Sequence, residues 1–141
     1  MIALGISKYN AEGYYDPTAY EGIRRAEVDT GKLKIVYPTG YMELNLEGFF
    51  PCPLDKARKV FSLVYRYSPE PDKDRLLAFL RRLEKRYFAQ MQEYASEAAT
   101  YPAKSDKWRE YTAKFKEAMR LRQRVAKNIE LFIQGGTANE N

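Results

Sequence analysis

An α+β fold with its helices gathered toward the C-terminus is predicted from three observations. Residues 33–46 alternate apolar and polar side chains on either side of Pro38-Thr39-Gly40, the pattern of a β-hairpin with one buried face. From Leu54 onward the apolar period changes to that of a helix. The last two helical stretches are about thirty residues each and are joined by a short turn at Thr100-Tyr101-Pro102, so they should pack as an antiparallel hairpin about 40 Å long. One domain over residues 1–134 is expected, with a Tyr-rich part (1–50, short helix plus β-hairpin), a helical part (53–134) and a disordered tail at 135–141.

Each element has its own signal. Asp16-Pro17 reads as a helix start, because Asp caps free N–H groups and Pro is preset for the first turn; a short helix over about residues 17–27 follows, ended by Asp29-Thr30-Gly31. Leu33, Ile35 and Tyr37, then Met42, Leu44 and Leu46, form the buried row of the hairpin. A lone hairpin is marginal in water, so it must lean on helices or pair with another strand, for which Met1 to Ile6 is the candidate. In the next helix Leu54, Ala57, Val60, Phe61, Val64 and Tyr65 share a face while Lys56, Arg58 and Lys59 look outward.

Ser68-Pro69-Glu70-Pro71-Asp72 stops that helix and starts another, since first-turn N–H groups have no intrahelical partner for proline to remove. It should reach Ala98 and bury Leu76, Leu80, Leu83, Tyr87, Met91, Tyr94 and Ala98. The final helix, Ser105 to Ile133, places Trp108, Tyr111, Phe115, Met119, Ala126, Ile129 and Ile133 on one side, with Gly135-Gly136 as its stop. Arg122 falls within that apolar face; a guanidinium there must find a carboxylate or escape along its stem, and Glu84 is the expected partner, setting the register of the two helices.

The composition narrows function mainly by what it lacks. The chain has no histidine and one cysteine, Cys52 between Pro51 and Pro53, so it has no Ser-His or Cys-His nucleophile, no imidazole proton shuttle and no thiolate or imidazole metal site. No cofactor, metal site or catalytic residue is assigned, and the chain is read as not an enzyme. Thr30-Gly31-Lys32 resembles the end of a phosphate-binding loop, but Gly22 stands nine residues before Gly31 where the motif needs five, and Leu33 replaces the Ser or Thr. Glu12, Asp16 and Glu21 would be the carboxylates of a magnesium-dependent nuclease, the catalytic alternative; helix capping explains Asp16 without it. No apolar run spans a membrane and no pair of cysteines exists, which leads to the expectation of a soluble, cytoplasmic protein with no membrane partner.

Positive charge is concentrated rather than spread. Of the formal net charge of +5, residues 101–134 alone carry 9 Lys/Arg against 4 Asp/Glu, or 9 − 4 = +5. Within the last helix Arg109, Lys116, Arg120 and Lys127 align on one azimuth, over about 27 Å at the helical rise, a length that meets several phosphates of a nucleic-acid backbone. Arg75, Arg82, Lys85 and Arg86 make a second, looser cluster in the preceding helix, which together with the first would form a groove or patch for an anion. Six of the twelve tyrosines lie in the first 41 residues, and Tyr9, Tyr14, Tyr15 and Tyr20 are a candidate second contact surface.

The run Lys8-Tyr9-Asn10-Ala11-Glu12-Gly13-Tyr14-Tyr15-Asp16-Pro17-Thr18-Ala19-Tyr20-Glu21 resembles the openings of small proteins encoded on mobile elements of Firmicutes. The resemblance implies a phage, plasmid or integrative-element setting, where small proteins are often anti-defence factors such as anti-CRISPR inhibitors that bind a host nucleoprotein. It carries no catalytic residue with it. The expected function is therefore non-catalytic binding of a nucleic acid or a nucleic-acid-bound host protein, with inhibition of a host CRISPR nuclease as its sharpest form. A DNA-binding regulator using the same cations, and a homodimer formed through the helical hairpin, are the rivals.

Overall fold

In a computed structural model of the chain, residues 22–135 are described. They form a three-stranded antiparallel sheet followed by four helices: β1 (Arg25–Asp29), β2 (Lys32–Tyr37), β3 (Gly40–Asn45), α1 (Leu46–Phe49), α2 (Leu54–Tyr67), α3 (Glu70–Ala98) and α4 (Asp106–Ile133). The α+β class and the closing pair of long packed helices are as the sequence predicts.

The short helix expected over residues 17–27 is not what residues 25–27 form. Ala26 and Val28 are buried between exposed or half-exposed Arg25, Glu27 and Asp29, a period of two, and Arg25–Asp29 pairs with β2 in the register Asp29↔Lys32. Thr30-Gly31 is a hairpin loop rather than a helix stop, with Gly31 at φ 70°, a conformation that glycine takes without a Cβ penalty. Residues 17–21, and Met1 to Ile6 as a candidate strand, lie outside the described residues.

The expected hairpin is β2–β3, closed by Pro38-Thr39 with Tyr37 opposite Gly40. Its buried row holds in β2, where Leu33 and Ile35 are wholly buried, and fades in β3. There Leu44 is only part-buried, Met42 is 36% exposed, and Leu46 is buried as the first residue of α1. The reason is position: helices α2 and α3 pack beneath β1, and β3 overhangs them as the outer strand. The free edge of β1 is closed by the turn between α2 and α3. The Ser68 hydroxyl donates to the Ala26 carbonyl, and buried Asp72 accepts the Val28 N–H at 2.9 Å, so the outward-facing edge groups find partners inside the molecule.

The helix boundaries agree with the sequence to within a residue. Ser105 caps α4 by accepting the Trp108 N–H, and Gly135, at φ 100°, follows its end. Ala57, Val60, Phe61 and Val64 of α2 are buried as expected, but Leu54 is exposed and Leu63 takes a core position. Phe61 stacks on Phe50 at 5.6 Å between ring centres and meets Phe132 at 4.9 Å, joining α2, the α1–α2 linker and α4 in one aromatic core. In α4 the buried set shifts along the helix. Trp108, Tyr111, Phe115 and Met119 are half-buried against α3, whereas Val125, Asn128, Ile129, Leu131 and Phe132 are buried and Ile133 is exposed. The predicted stripe assumed one partner; the C-terminal half of α4 also meets α2, which widens its buried arc.

Two long helices therefore share a base and an arm. Between Leu83 and Val125 only Ala98 and Ala118 are buried. Beyond the base the hairpin is a two-helix arm whose seam is one layer deep, ending in a tyrosine cluster where Tyr101 stacks on Tyr111 at 5.9 Å.

The linker from sheet to helices passes through a cis Phe50-Pro51 bond and buried Cys52, and Asn128 completes it. The Asn128 side chain, wholly buried, accepts the Cys52 N–H at 3.2 Å and donates to the Cys52 carbonyl at 3.0 Å. Replacing it with Leu leaves both backbone groups buried without partners, so Asn128→Leu should lose about 2–4 kcal/mol of unfolding free energy in urea titration despite its similar volume.

Candidate anion-binding face

The seam of α4 follows Trp108, Tyr111, Phe115, Ala118, Arg122, Val125, Ile129 and Phe132, alternating steps of three and four residues. At 100° per residue, Arg109, Lys116, Arg120 and Lys127 lie about 140–180° away from that seam, on the back of α4, and all four are exposed. Their surroundings differ. Arg109 lies 3.9 Å from Asp106, and Arg120 makes two hydrogen bonds, at 2.6 and 2.7 Å, to the carboxylate of Glu117. Lys116 and Lys127 have no carboxylate within ion-pair distance among the described residues.

The N-terminal half of α4 is largely neutralised from within. Glu110 takes Lys107 at 3.7 Å and Lys114 at 3.4 Å, and Lys114 also lies over the rings of Tyr111 and Tyr94. From Lys116 to Lys127 the balance changes to five cations (Lys116, Arg120, Arg122, Arg124, Lys127) against Glu117 alone, or 5 − 1 = +4. Arg124, which the alignment by azimuth passes over, continues the series Lys116, Arg120, Arg124 at four-residue spacing, where successive side chains neighbour one another. Burial pushes the nearby Cys52 thiol up to about 12, against the opposing charges of Lys56 and Arg124. The sequence signal for Arg124 was its spacing.

The second predicted cluster is placed elsewhere. Arg75 is paired with buried Asp72, and Arg86 bridges to Glu47 of α1 at 2.8 Å, so these two cations tie α3 to itself and to the base. Arg82 and Lys85 are exposed and carry no ion pair among the described residues. Because the row on α4 faces away from α3, the structure does not bring the two clusters into one groove. Tyr9, Tyr14, Tyr15 and Tyr20, and the carboxylates Glu12, Asp16 and Glu21, lie outside the described residues.

Arg122 stands 3.9 Å from Glu84 through Nε, within ion-pair range but beyond a hydrogen bond, and its guanidinium lies over the Phe88 ring at 4.5 Å. The expected partner is thus at hand, with the ring sharing the contact. Among the described residues no group of three Cys, Asp or Glu side chains is arranged to hold a metal ion, and no helix is long and apolar enough to cross a membrane. No family model matches the chain, and comparison with curated proteins and with solved structures finds none similar to it. The residues of the face itself carry the functional argument.

Cys52 offers a direct check on the packing beneath this face. Its raised pKa means that the folded state keeps the proton while the unfolded chain loses it near 9.0, so this contribution to stability is complete below pH 9 and is lost as pH climbs toward 12. Cys52→Ala should show a shallower fall in unfolding free energy than the parent over that window. The parent thiol should resist alkylation at pH 8 until denaturant is added.

Proposed function

We propose that this chain is a non-catalytic binding protein that engages a nucleic acid, or a host protein carrying one, through the back of α4. The observation that carries the reading is Lys116, Arg124 and Lys127, exposed, aligned with Arg120 and without an acid of their own among the described residues. Together they cover about 16 Å of helix, a span that neutralises several phosphates. Arg120 contributes as well: its pair with Glu117 is solvent-exposed, and such pairs exchange readily for a phosphate contact. The resemblance of residues 8–21 to openings of mobile-element proteins supports a setting in which the bound target is a host nucleoprotein, a CRISPR nuclease being the most specific form. A basic inhibitor of that kind grips guide RNA, bound DNA or an acidic protein patch rather than mimicking DNA in a cationic channel.

The test is a salt titration with labelled duplex DNA, single-stranded DNA and RNA, comparing the parent with a variant carrying Lys116→Gln, Arg120→Gln, Arg124→Gln and Lys127→Gln. Glutamine preserves helix propensity, so the fold should stand. If the four cations meet phosphates, the slope of log affinity against log salt should lose roughly 3–4 in magnitude. Equal slopes and affinities for parent and variant would retire the face as the binding surface.

A further inference from the structure

The helical hairpin has two broad sides, and the described residues cover only one. Asp72 and Arg86 of α3 and Asn128 of α4, which hold β1, α1 and the Cys52 linker, fall on one flank of the seam. On the other flank, at 100° per residue, stand Phe88 and Met91 of α3 with Trp108, Phe115 and Met119 of α4. Phe88 is 41% exposed, the others are half-buried, and no described element packs over them. Glu84 and Arg122 sit in the same flank, level with each other on opposite helices.

We infer that this side, which no described element covers, is a homodimer interface, occupied by a second copy of the chain with the two arms parallel. A two-fold axis running along the arm lays α3 of each copy over α4 of the other at the same height. Glu84 then faces Arg122 of the second copy and Arg122 faces its Glu84, making a self-complementary cluster of four charges at the centre of an apolar surface. Within one chain the Arg122–Glu84 contact is loose, at 3.9 Å and beyond hydrogen-bond range, and the Arg122 side chain stays 40% exposed, so the outer part of its guanidinium is open to a second carboxylate. The size also suits: a side of the hairpin roughly 40 Å long and 20 Å wide presents about 800 Å² per copy, the area of a standard stable interface. The assembly is a four-helix bundle with each α4 back turned to an outer edge, so the inference does not rest on the proposed anion-binding face and leaves it exposed.

Sedimentation velocity of the full chain tests this, with circular dichroism confirming that helix content is kept. The parent should sediment as a dimer near 50 μM, and Glu84→Arg, which sets four guanidinium groups together, should weaken the dimer at least about tenfold. The swap Glu84→Arg with Arg122→Glu should restore dimerisation to within about threefold of the parent. If Glu84→Arg loses helix content, Arg122→Glu alone is measured in its place with the same expectation. A parent that stays monomeric at about 200 μM overturns the inference, as does a charge-reversed variant that dimerises like the parent or a swap that fails to recover.

Discussion

The rotation of α4 about its own axis decides which of its cations meet solvent, and Asn128 sets that rotation. A helix held only by apolar contacts can turn by several degrees at little cost, since such contacts are non-directional. A buried amide cannot, because its donor and acceptor must both meet the peptide of Cys52. The Tyr65 hydroxyl adds a second directional tie by donating to the Phe132 carbonyl at 2.6 Å. Once these are made, Lys127 and Arg124 are exposed on either side of buried Asn128, and Arg122, six residues before Asn128, is turned toward the flank that carries Glu84 and Phe88. The same amide that joins the sheet's linker to the helices thereby orients the charged surface.

Base and arm differ in what holds them. In the base three layers of apolar side chains exclude water, with Phe61, Leu33, Ile35, Leu76, Leu80 and Val125 wholly buried, and fully burying side chains of this kind is worth about 1.5–3 kcal/mol each. Among the described residues the arm has no third element. Apart from Ala98 and Ala118 its seam residues are half-buried, so each contributes a fraction of that value, and the cluster of Tyr94, Tyr101 and Tyr111 adds ring contacts at the tip. Local opening should begin at the tip, where Lys104 holds φ at 69° in the left-handed region that a side chain disfavours.

Helix positions and lengths were legible because they are written locally: Pro69 and Pro71 at a start, Ser105 as a cap, Gly135 after an end, and apolar residues at three- and four-residue steps between. Errors arose wherever a tertiary partner decides. Asp16-Pro17 is a valid start signal, but nothing local says how far a helix would run, and the alternation of Ala26 and Val28 is too short to stand out before its pairing with β2 is known. Met42 alternates correctly and is still exposed, because burial in a strand depends on what lies beneath the sheet. The cation row was legible by azimuth. Its division into neutralised and unneutralised halves was not, since Glu110 and Glu117 lie at spacings that suit several cations and only side-chain geometry selects Lys107, Lys114 and Arg120.

That division follows from a simple asymmetry in how acids are placed along α4. Exposed ion pairs add little to stability, so Asp106, Glu110 and Glu117 are poor candidates for holding the fold together. What they do change is the field: they cancel charge toward the tip, and beyond Glu117 no acid appears until Glu130. A positive field confined to Lys116–Lys127 lies on the half of the arm nearer the base and ends beside Asn128, rather than at the tip. If this face meets phosphate as proposed, cations on the better-held part of the helix lose less conformational freedom than cations at the tip would, and the placement of acids leaves the unpaired charge on that part.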